Sequence, residues 1–279
     1  MLRVTSAQAA HFSNLSATEQ LALDEAMLLE ADGQHALRSE SQTRQEHETS
    51  HGHQDTKLGP INREDANPKD SERIRIWSFD RHVVVLGRSS RVGDEVNRPF
   101  CEQHGITIER RASGGASVVG GPGCLMYSVV VAHHDKPHLK QIDAAHDYVM
   151  SRVLSAVQVQ LPEVRRQGIC DLTWGDCKFS GNSLRITKHH LLYHGTILYG
   201  FDLPLLARCL EFAPRQPDYR NQRSHERFVT NVPLVAERLA DDLCQSFGVT
   251  GQYDAANYHR RVLDLRQSRY DDDSWRFRH

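Results

Sequence analysis

From Gly33 to Asp70 the chain is built of Ser, Gln, Glu, His, Arg and Asn, with almost no large apolar side chain. Such a stretch cannot bury enough surface to offset the entropy of ordering it. It is therefore read as a disordered polar insertion over 33–70, and any core must come from the residues on either side of it. Its histidines, His35, His47, His51 and His53, are read as part of a solvated loop rather than as metal ligands. The full chain of 279 residues leaves room for one large domain or two small ones. With 39% hydrophobic and 25% charged residues it suits a soluble globular protein. A net charge of −2 gives no bulk-charge reason to expect nucleic acid or membrane as a partner. No run approaches the roughly 20 apolar residues that span a bilayer. Met1 to Asn14 lacks an apolar core of the secretory type, so a cytoplasmic location is expected. The six cysteines, Cys101, Cys124, Cys170, Cys177, Cys209 and Cys244, form no CxxC pair, which makes reduced thiols the expectation.

Around the insertion, helical and strand patterns mix. Glu19 to Ala31 places Leu21, Met27 and Leu28 at helical spacing. Ile74 and Ile76 alternate with polar residues, and Val83 to Leu86 is a continuous apolar run of the kind buried on both faces of a sheet. A short helix is expected over Glu95–Gly105 and a longer one over Ile142–Val157. A tight hairpin is expected over Ile169–Phe179, turning at Gly175-Asp176. Leu191–Tyr199 reads as a strand, Leu203–Leu210 and Leu234–Phe247 as helices, and Pro214–Arg227 as irregular. The charged tail Tyr270–His279 is expected to fray. The elements lack the regular βαβ rhythm of a parallel sheet, which favours an α+β fold.

Four segments could carry chemistry. Arg110-Arg111-Ala112-Ser113-Gly114-Gly115 has two glycines that admit close backbone approach and a possible anion nest, with arginines able to meet phosphate or carboxylate. Alone, Gly-Gly between strands is usually just a turn; it is no Walker A loop. Gly120-Gly121-Pro122-Gly123 reads as a loop before a core strand. Lys178, among small residues in Gly175–Ser183, could reach into a pocket to hold a phosphate or developing oxyanion, or be a solvated hairpin lysine. His194-Gly195-Thr196 opens a strand, where the histidine is either a proton carrier or a hydrogen-bonded core residue.

Taken in order, these segments resemble the superfamily of lipoate–protein ligases, octanoyltransferases and, more distantly, biotin–protein ligases. Arg110–Gly115 matches its Arg-Arg-x-Ser/Thr-Gly-Gly pattern and Leu125–Ser128 its Leu-x-Tyr-Ser strand. Gly175–Gly181 matches Gly-x-x-Lys-x-Ser-Gly, and His194–Thr196 matches His-Gly-Thr. Leu23–Ala26 and Val84–Arg88 also look like the family. The resemblance implies a mixed β-sheet flanked by helices over 1–250, interrupted by the 33–70 insertion. Residues 251–279 would form a C-terminal extension with no room for a full accessory domain. It implies attachment of a lipoyl or octanoyl group to a lysine of a lipoyl domain, in a 2-oxo-acid dehydrogenase or the glycine-cleavage carrier. Lys178 takes the place of the family's essential lysine. Arg110, Arg111, Ser113, Gly114, Gly115, Asp171, Ser180, Gly181, His194, Gly195 and Thr196 would enclose substrate and adenylate. Asp171 would hold magnesium or orient the incoming lysine. Val118, Val119 and Met126 would wall an apolar tunnel.

Two branches compete. Ligases use ATP, magnesium and free lipoate; transferases take octanoyl from acyl carrier protein through a cysteine thioester and need no cofactor. Cys170 stands where ligases usually carry Asn, and is either a nucleophile or a buried structural thiol. Its position matches neither transferase branch, and on that ground ATP-dependent ligation is placed ahead of transfer. A non-catalytic binder of lipoylated carriers is the third reading. Arg215 to Arg227 matches no general motif.

Overall fold

The structure is a computed structural model that describes residues 1–5, 15–49, 72–211 and 216–279, with the side chains of 36–49 outside that description. Eleven strands are described: β1 Leu2–Thr5, β2 Arg73–Trp77, β3 Val83–Leu86, β4 Thr107–Arg110, β5 Val118–Gly120, β6 Cys124–Ala132, β7 Arg165–Gln167, β8 Asp171–Trp174, β9 Cys177–Ile186, β10 His190–Leu198 and β11 Gly251–Asp254. Eight form one sheet in the order β11-β1-β2-β6-β10-β9-β8-β7, parallel between β11, β1 and β2 and antiparallel from β2 onward. The other three form a small sheet, β4-β3-β5, with β3 parallel to β4 and antiparallel to β5. The four main helices are α1 Ala17–Thr49, α2 Ile142–Gln158, α3 Ala236–Ser246 and α4 His259–Leu265. This is the expected α+β class, a mixed sheet flanked by helices.

Side chains alternate across a strand, so a fully buried strand must feed two cores. β6 does so. Leu125, Tyr127, Val129 and Val131 join α2 and α3 in one core. Met126 and Val130 face the opposite way, toward α1, α4 and the small sheet. The same alternation in β10 sends His194 and Thr196 to the α1 face, where the candidate site lies.

Three differences from the sequence reading have physical causes. The helix read as Glu19–Ala31 continues to Thr49, so 33–49 is helical rather than disordered. The apolar pattern ends at Ala31, but Ala, Leu, Arg, Glu and Gln beyond Gly33 are good helix formers, and a helix needs no apolar face to propagate from a packed one. The rest of the expected insertion, 50–70, lies outside the described residues. Second, the tail does not fray. Tyr270 is buried against Glu25, and the carbonyls of Arg276 and Arg278 accept from the Arg110 guanidinium. Third, β11 is an edge strand of the main sheet and α4 packs on α1, so residues beyond 250 belong to the same folded unit. Among the described residues no helix is long and apolar enough to cross a membrane.

His190, at the start of β10, is fully buried. Burial pushes its imidazole down to about 4, although Asp32 pulls the other way. Its pKa is thus below the unfolded value of about 6.5, so the fold excludes a proton that the unfolded chain binds. The stability this contributes is complete above about pH 6.5 and is lost as pH falls toward 4. The expected cost by pH 5.5 is about 1 kcal/mol, or ~2–4 °C in unfolding temperature for a chain of this size. Thermal unfolding at pH 7.5 and 5.5 should show that fall, and His190→Gln should flatten it. An equal slope in the variant would remove His190 from the explanation.

Candidate active site

Two adjoining cavities, of about 120 and 140 Å³, open on the α1 face of the sheet. Both are lined by Ala116, Ser117, Val118, Lys178, Gly181 and Thr196. The first continues between Leu21, Trp77, Val85 and Met126, an apolar wall. The second continues past Leu198, Leu206 and Phe228 to Arg220 and His225.

The loop between β4 and β5 forms the shared wall, and its shape is set by one arginine. Arg111 donates to the carbonyls of Gly114 (2.5 Å), Ala116 (2.9 Å) and Val85 (3.2 Å), and to Ser113 Oγ (3.1 Å). The loop is folded around this guanidinium. Gly115 sits at φ +83, where only glycine is unstrained, and Gly87 lets the Gly115 carbonyl approach to where a Cβ would stand only 1.8 Å away. Glu95 closes the loop from outside, accepting from the Ser117 amide and hydroxyl (2.7 Å each) and from Ser90 Oγ (3.0 Å).

A polar chain joins the loop to the first helix. Ser113 Oγ lies 2.5 Å from His194 Nε2, and His194 Nδ1 lies 3.1 Å from Asp24 Oδ2. Asp24 also accepts from Arg75 (2.9 Å) and Ser128 (2.6 Å). A carboxylate can only accept, so Nδ1 donates to Asp24 and Nε2 is the ring atom that meets the Ser113 hydroxyl. Burial alone opposes ionisation of Asp24, but the His194 hydrogen bond and the Arg75 charge outweigh it and hold the carboxyl below its ordinary range. His194 lines the first cavity; Ser113 lies behind it and lines neither.

Lys178 stands at the junction of the cavities. Its Nζ lies 2.8 Å from Asp171 Oδ1 on the neighbouring strand β8. Gly181 leaves it room: a Cβ there would lie 3.0 Å from the lysine Nζ and Cε. Lys178 and Gly181 open to both cavities, as does Thr196, which pairs with Gly181 across the β9–β10 ladder. Ser180 lines the second cavity. Gly195 carries no side chain because Asn182 occupies that space, a Cβ falling 1.8 Å from its Oδ1.

Arg110 is turned away from both cavities. Its guanidinium is buried and spent on the carbonyls of Gly87, Arg88, Ser90, Arg276 and Arg278. The expected role at phosphate or carboxylate therefore fails for Arg110, and the Arg111 guanidinium is likewise committed to the loop backbone. Cys170 donates to the Asn182 carbonyl at 3.2 Å and lines neither cavity. Burial, aided by the Asp171 carboxylate beside it, pushes its thiol up to about 11. Asp171 has both carboxylate oxygens engaged, by Lys178 and by the Tyr219 hydroxyl. Among the described residues no three His, Cys, Asp or Glu side chains group to hold a metal. Magnesium at Asp171, as expected, would share the carboxylate with both Lys178 and Tyr219.

Sequence reasoning missed several contributors. Asp24 carried a signal, a carboxylate inside the apolar run of a helix, which must find a partner. Asn182 and Ser183, beside the matched motif, line the first cavity, and Ser183 Oγ donates to the Gly114 carbonyl at 2.7 Å. Arg220 and His225 fall in the segment that matched nothing. Burial, with the positive charges of Arg220 and Lys178, pushes His225 down to about 4, so it is neutral at pH 7.

Comparison with known proteins agrees with this geometry. Residues 61–245 match the model of the lipoyl protein ligase A/B catalytic domain. Lipoate–protein ligase 1 of Staphylococcus aureus is 23% identical over 163 residues, covering 58% of this chain and 48% of the relative. A probable lipoate–protein ligase A of Mycoplasma genitalium is 30% identical over 167 residues, covering 59% and 48%. The chain thus spans about half the length of the curated relatives it matches. The bipartite lipoate protein ligase of Thermoplasma acidophilum shares the fold, with a TM-score of 0.70 at 17% identity over 99% of this chain and 95% of that one. A lipoate–protein ligase A solved with ATP superposes with a TM-score of 0.68 at 18% identity, over 94% of each chain. The family match covers well over half of the sequence and contains the loop, the lysine and the His-Gly-Thr strand, and this chain belongs to the lipoyl protein ligase A/B catalytic domain family.

Proposed function

We propose that this chain attaches lipoate or octanoate to a lysine of a lipoyl carrier domain through an acyl adenylate made from ATP. The observation that carries the reading is Lys178 at the junction of two adjoining cavities. The apolar wall of Leu21, Trp77, Val85 and Met126 suits an acyl chain. The side with Arg220 and a neutral His225 suits a phosphate-bearing group.

In the first step a carboxylate oxygen attacks the α-phosphorus of ATP and pyrophosphate leaves. In the second, the carrier amine attacks the acyl carbon, AMP leaves with the electron pair of the broken C–O bond, and the amine proton passes to water. Both steps gather negative charge on oxygens at the carboxyl–phosphate junction, and a fixed ammonium there stabilises the transition state more than the ground state. The loop held by Arg111 and Glu95 walls one side of both cavities. The partners expected are lipoyl domains of 2-oxo-acid dehydrogenases or the glycine-cleavage carrier, since relatives are named lipoate–protein ligases and a related archaeal ligase was solved as a system with its E2 lipoyl domain.

Thioester transfer from octanoyl–acyl carrier protein is the lesser reading, because no cysteine lines either cavity and the nearest thiol to Lys178 in the motif, Cys177, contacts the Arg227 carbonyl instead. The deciding experiment follows intact mass. Wild type and Cys170→Ser are each incubated with ATP, magnesium, lipoate and an apo lipoyl domain, and separately with octanoyl–acyl carrier protein. The lipoyl domain should gain lipoate only with ATP, and Cys170→Ser should keep activity within about twofold. An octanoyl adduct on the enzyme that vanishes in Cys170→Ser would reverse the ranking.

A further inference from the structure

Apart from Arg220 and His225, which face the second cavity, the segment from Gln216 to Phe228 has no assigned role, yet its conformation is tightly specified. Asp218–Arg220 forms a single helical turn. Asn221 (φ 48) and Gln222 (φ 55) then both take the left-handed conformation, which is rare for glutamine. Two arginines hold this shape in a reciprocal clasp: Arg223 Nε donates to the Arg220 carbonyl and Arg220 Nε to the Arg223 carbonyl, each at 3.0 Å. Arg223 Nη2 further donates to the Tyr219 carbonyl (3.0 Å) and to the Asp176 carbonyl (2.9 Å), in the turn just before Lys178. Both guanidiniums lie over the Phe228 ring.

The clasp aims one side chain. Tyr219 Oη donates to Asp171 Oδ2 at 2.7 Å, while the other oxygen of that carboxylate meets Lys178 Nζ at 2.8 Å. The tyrosine ring packs against Phe228, at 5.3 Å between centroids, and over Gly168. Burial, with Asp171 beside it, pushes the phenol far above its ordinary range, so it serves Asp171 only as a donor. Asp171 is thus gripped from two sides, by a loop hydroxyl and by the lysine ammonium.

We propose that Tyr219 is a positioning residue for Lys178, acting through Asp171: its hydroxyl fixes the carboxylate on which the ammonium rests and so places the lysine at the junction of the two cavities. This rests on the reading of Lys178 as the group that meets the reacting carboxyl and phosphate. Without the hydroxyl the Asp171 carboxylate gains a rotational freedom that the lysine follows, and the charge is spread over positions that do not face the reaction.

The test uses Tyr219→Phe, which keeps the ring and its packing. In the ATP-, lipoate- and lipoyl-domain-dependent reaction, kcat should fall about tenfold, with KM for lipoate and ATP within about twofold. Asp171→Asn should also lose activity, and adding Tyr219→Phe to it should cost nothing more, because the tyrosine works only through that carboxylate. A structural role would instead lower the unfolding temperature and make the two losses multiply, and that result would overturn the proposal. A second readout needs no turnover. Reductive 13C-methylation labels the six lysines of the chain, and the Lys178 signal is identified by its absence in Lys178→Arg. That signal should shift in both Tyr219→Phe and Asp171→Asn and by the same sense. If the protein proves inactive as a ligase, the signal still decides: an unmoved Lys178 resonance in Tyr219→Phe refutes the coupling, and a moved one supports it whatever the reaction is.

Discussion

Lys178→Ala is expected to lower ATP-dependent lipoylation by about 10²–10³-fold, the scale on which removal of one preorganised transition-state donor acts. The ammonium is the charge shared by both cavities, and neither Arg111 nor His225 offers a substitute. Arg111 is spent on three acceptors of its own loop and one of β3, and His225 is pushed down to about 4 and carries no charge at neutral pH. The fold should survive. The Lys178 side chain is 28% exposed, and Asp171 keeps its bond from Tyr219 when the lysine is gone, so the unfolding temperature should move by no more than a few degrees. Lys178→Arg should be nearly as poor. Gly181 gives the lysine a slot where a Cβ would already lie 3.0 Å away, and a planar guanidinium is bulkier than an ammonium. Pyrophosphate release without the lipoyl domain isolates the first step; transfer from preformed lipoyl-AMP isolates the second. Full activity in Lys178→Ala would dispose of the mechanism.

The two core-facing strands and the hairpin that carries Lys178 were legible because they depend on local pattern. Val83–Leu86 is apolar at every position, and Gly175-Asp176 supplies the turn between β8 and β9. The family motifs located the loop, the lysine and His194 for the same reason: each is a contiguous run of residue types. What stayed hidden depends on groups far apart in sequence. Nothing local distinguishes Arg110 from Arg111, yet one faces a cavity and the other grips carbonyls as distant as Arg276 and Arg278. The tail looked free because it is charged, but its Arg278 lies over the Trp275 ring and its Phe277 ring lies under Arg98 of the body. Glu95 looked like a helix residue; its partners Ser90 and Ser117 make it the clasp of the site loop. Tyr219 stood in a segment without apolar periodicity, where only the tertiary contact with Asp171 gives it meaning.

Arg110→Ala should cost more stability than any other single change considered for this chain. Its guanidinium donates to Gly87 O (2.7 Å), Ser90 O (2.9 Å), Arg276 O (2.9 Å), Arg278 O (3.0 Å) and Arg88 O (3.3 Å). Burial and the neighbouring Arg278 charge lower its pKa to about 10, which still leaves it protonated at pH 7. Alanine removes a buried cation whose desolvation was already a cost, so the loss does not equal the sum of its bonds. It does strand several carbonyls, each worth about 1–3 kcal/mol when left without a donor, with water able to reach those of the tail. The expected net is about 3–5 kcal/mol, or roughly 10 °C in unfolding temperature. Arg110→Lys should fall between, since one ammonium reaches some of these carbonyls but not all. Activity at low temperature should fall less than in Lys178→Ala, because the arginine touches neither cavity. It should nonetheless fall, since Gly87, which Arg110 holds, is the surface on which the Gly115 carbonyl rests. Thermal denaturation of Arg110→Ala beside wild type checks this: a loss under about 1 kcal/mol would mean that water replaces the guanidinium at every carbonyl, and that the tail is not pinned by it.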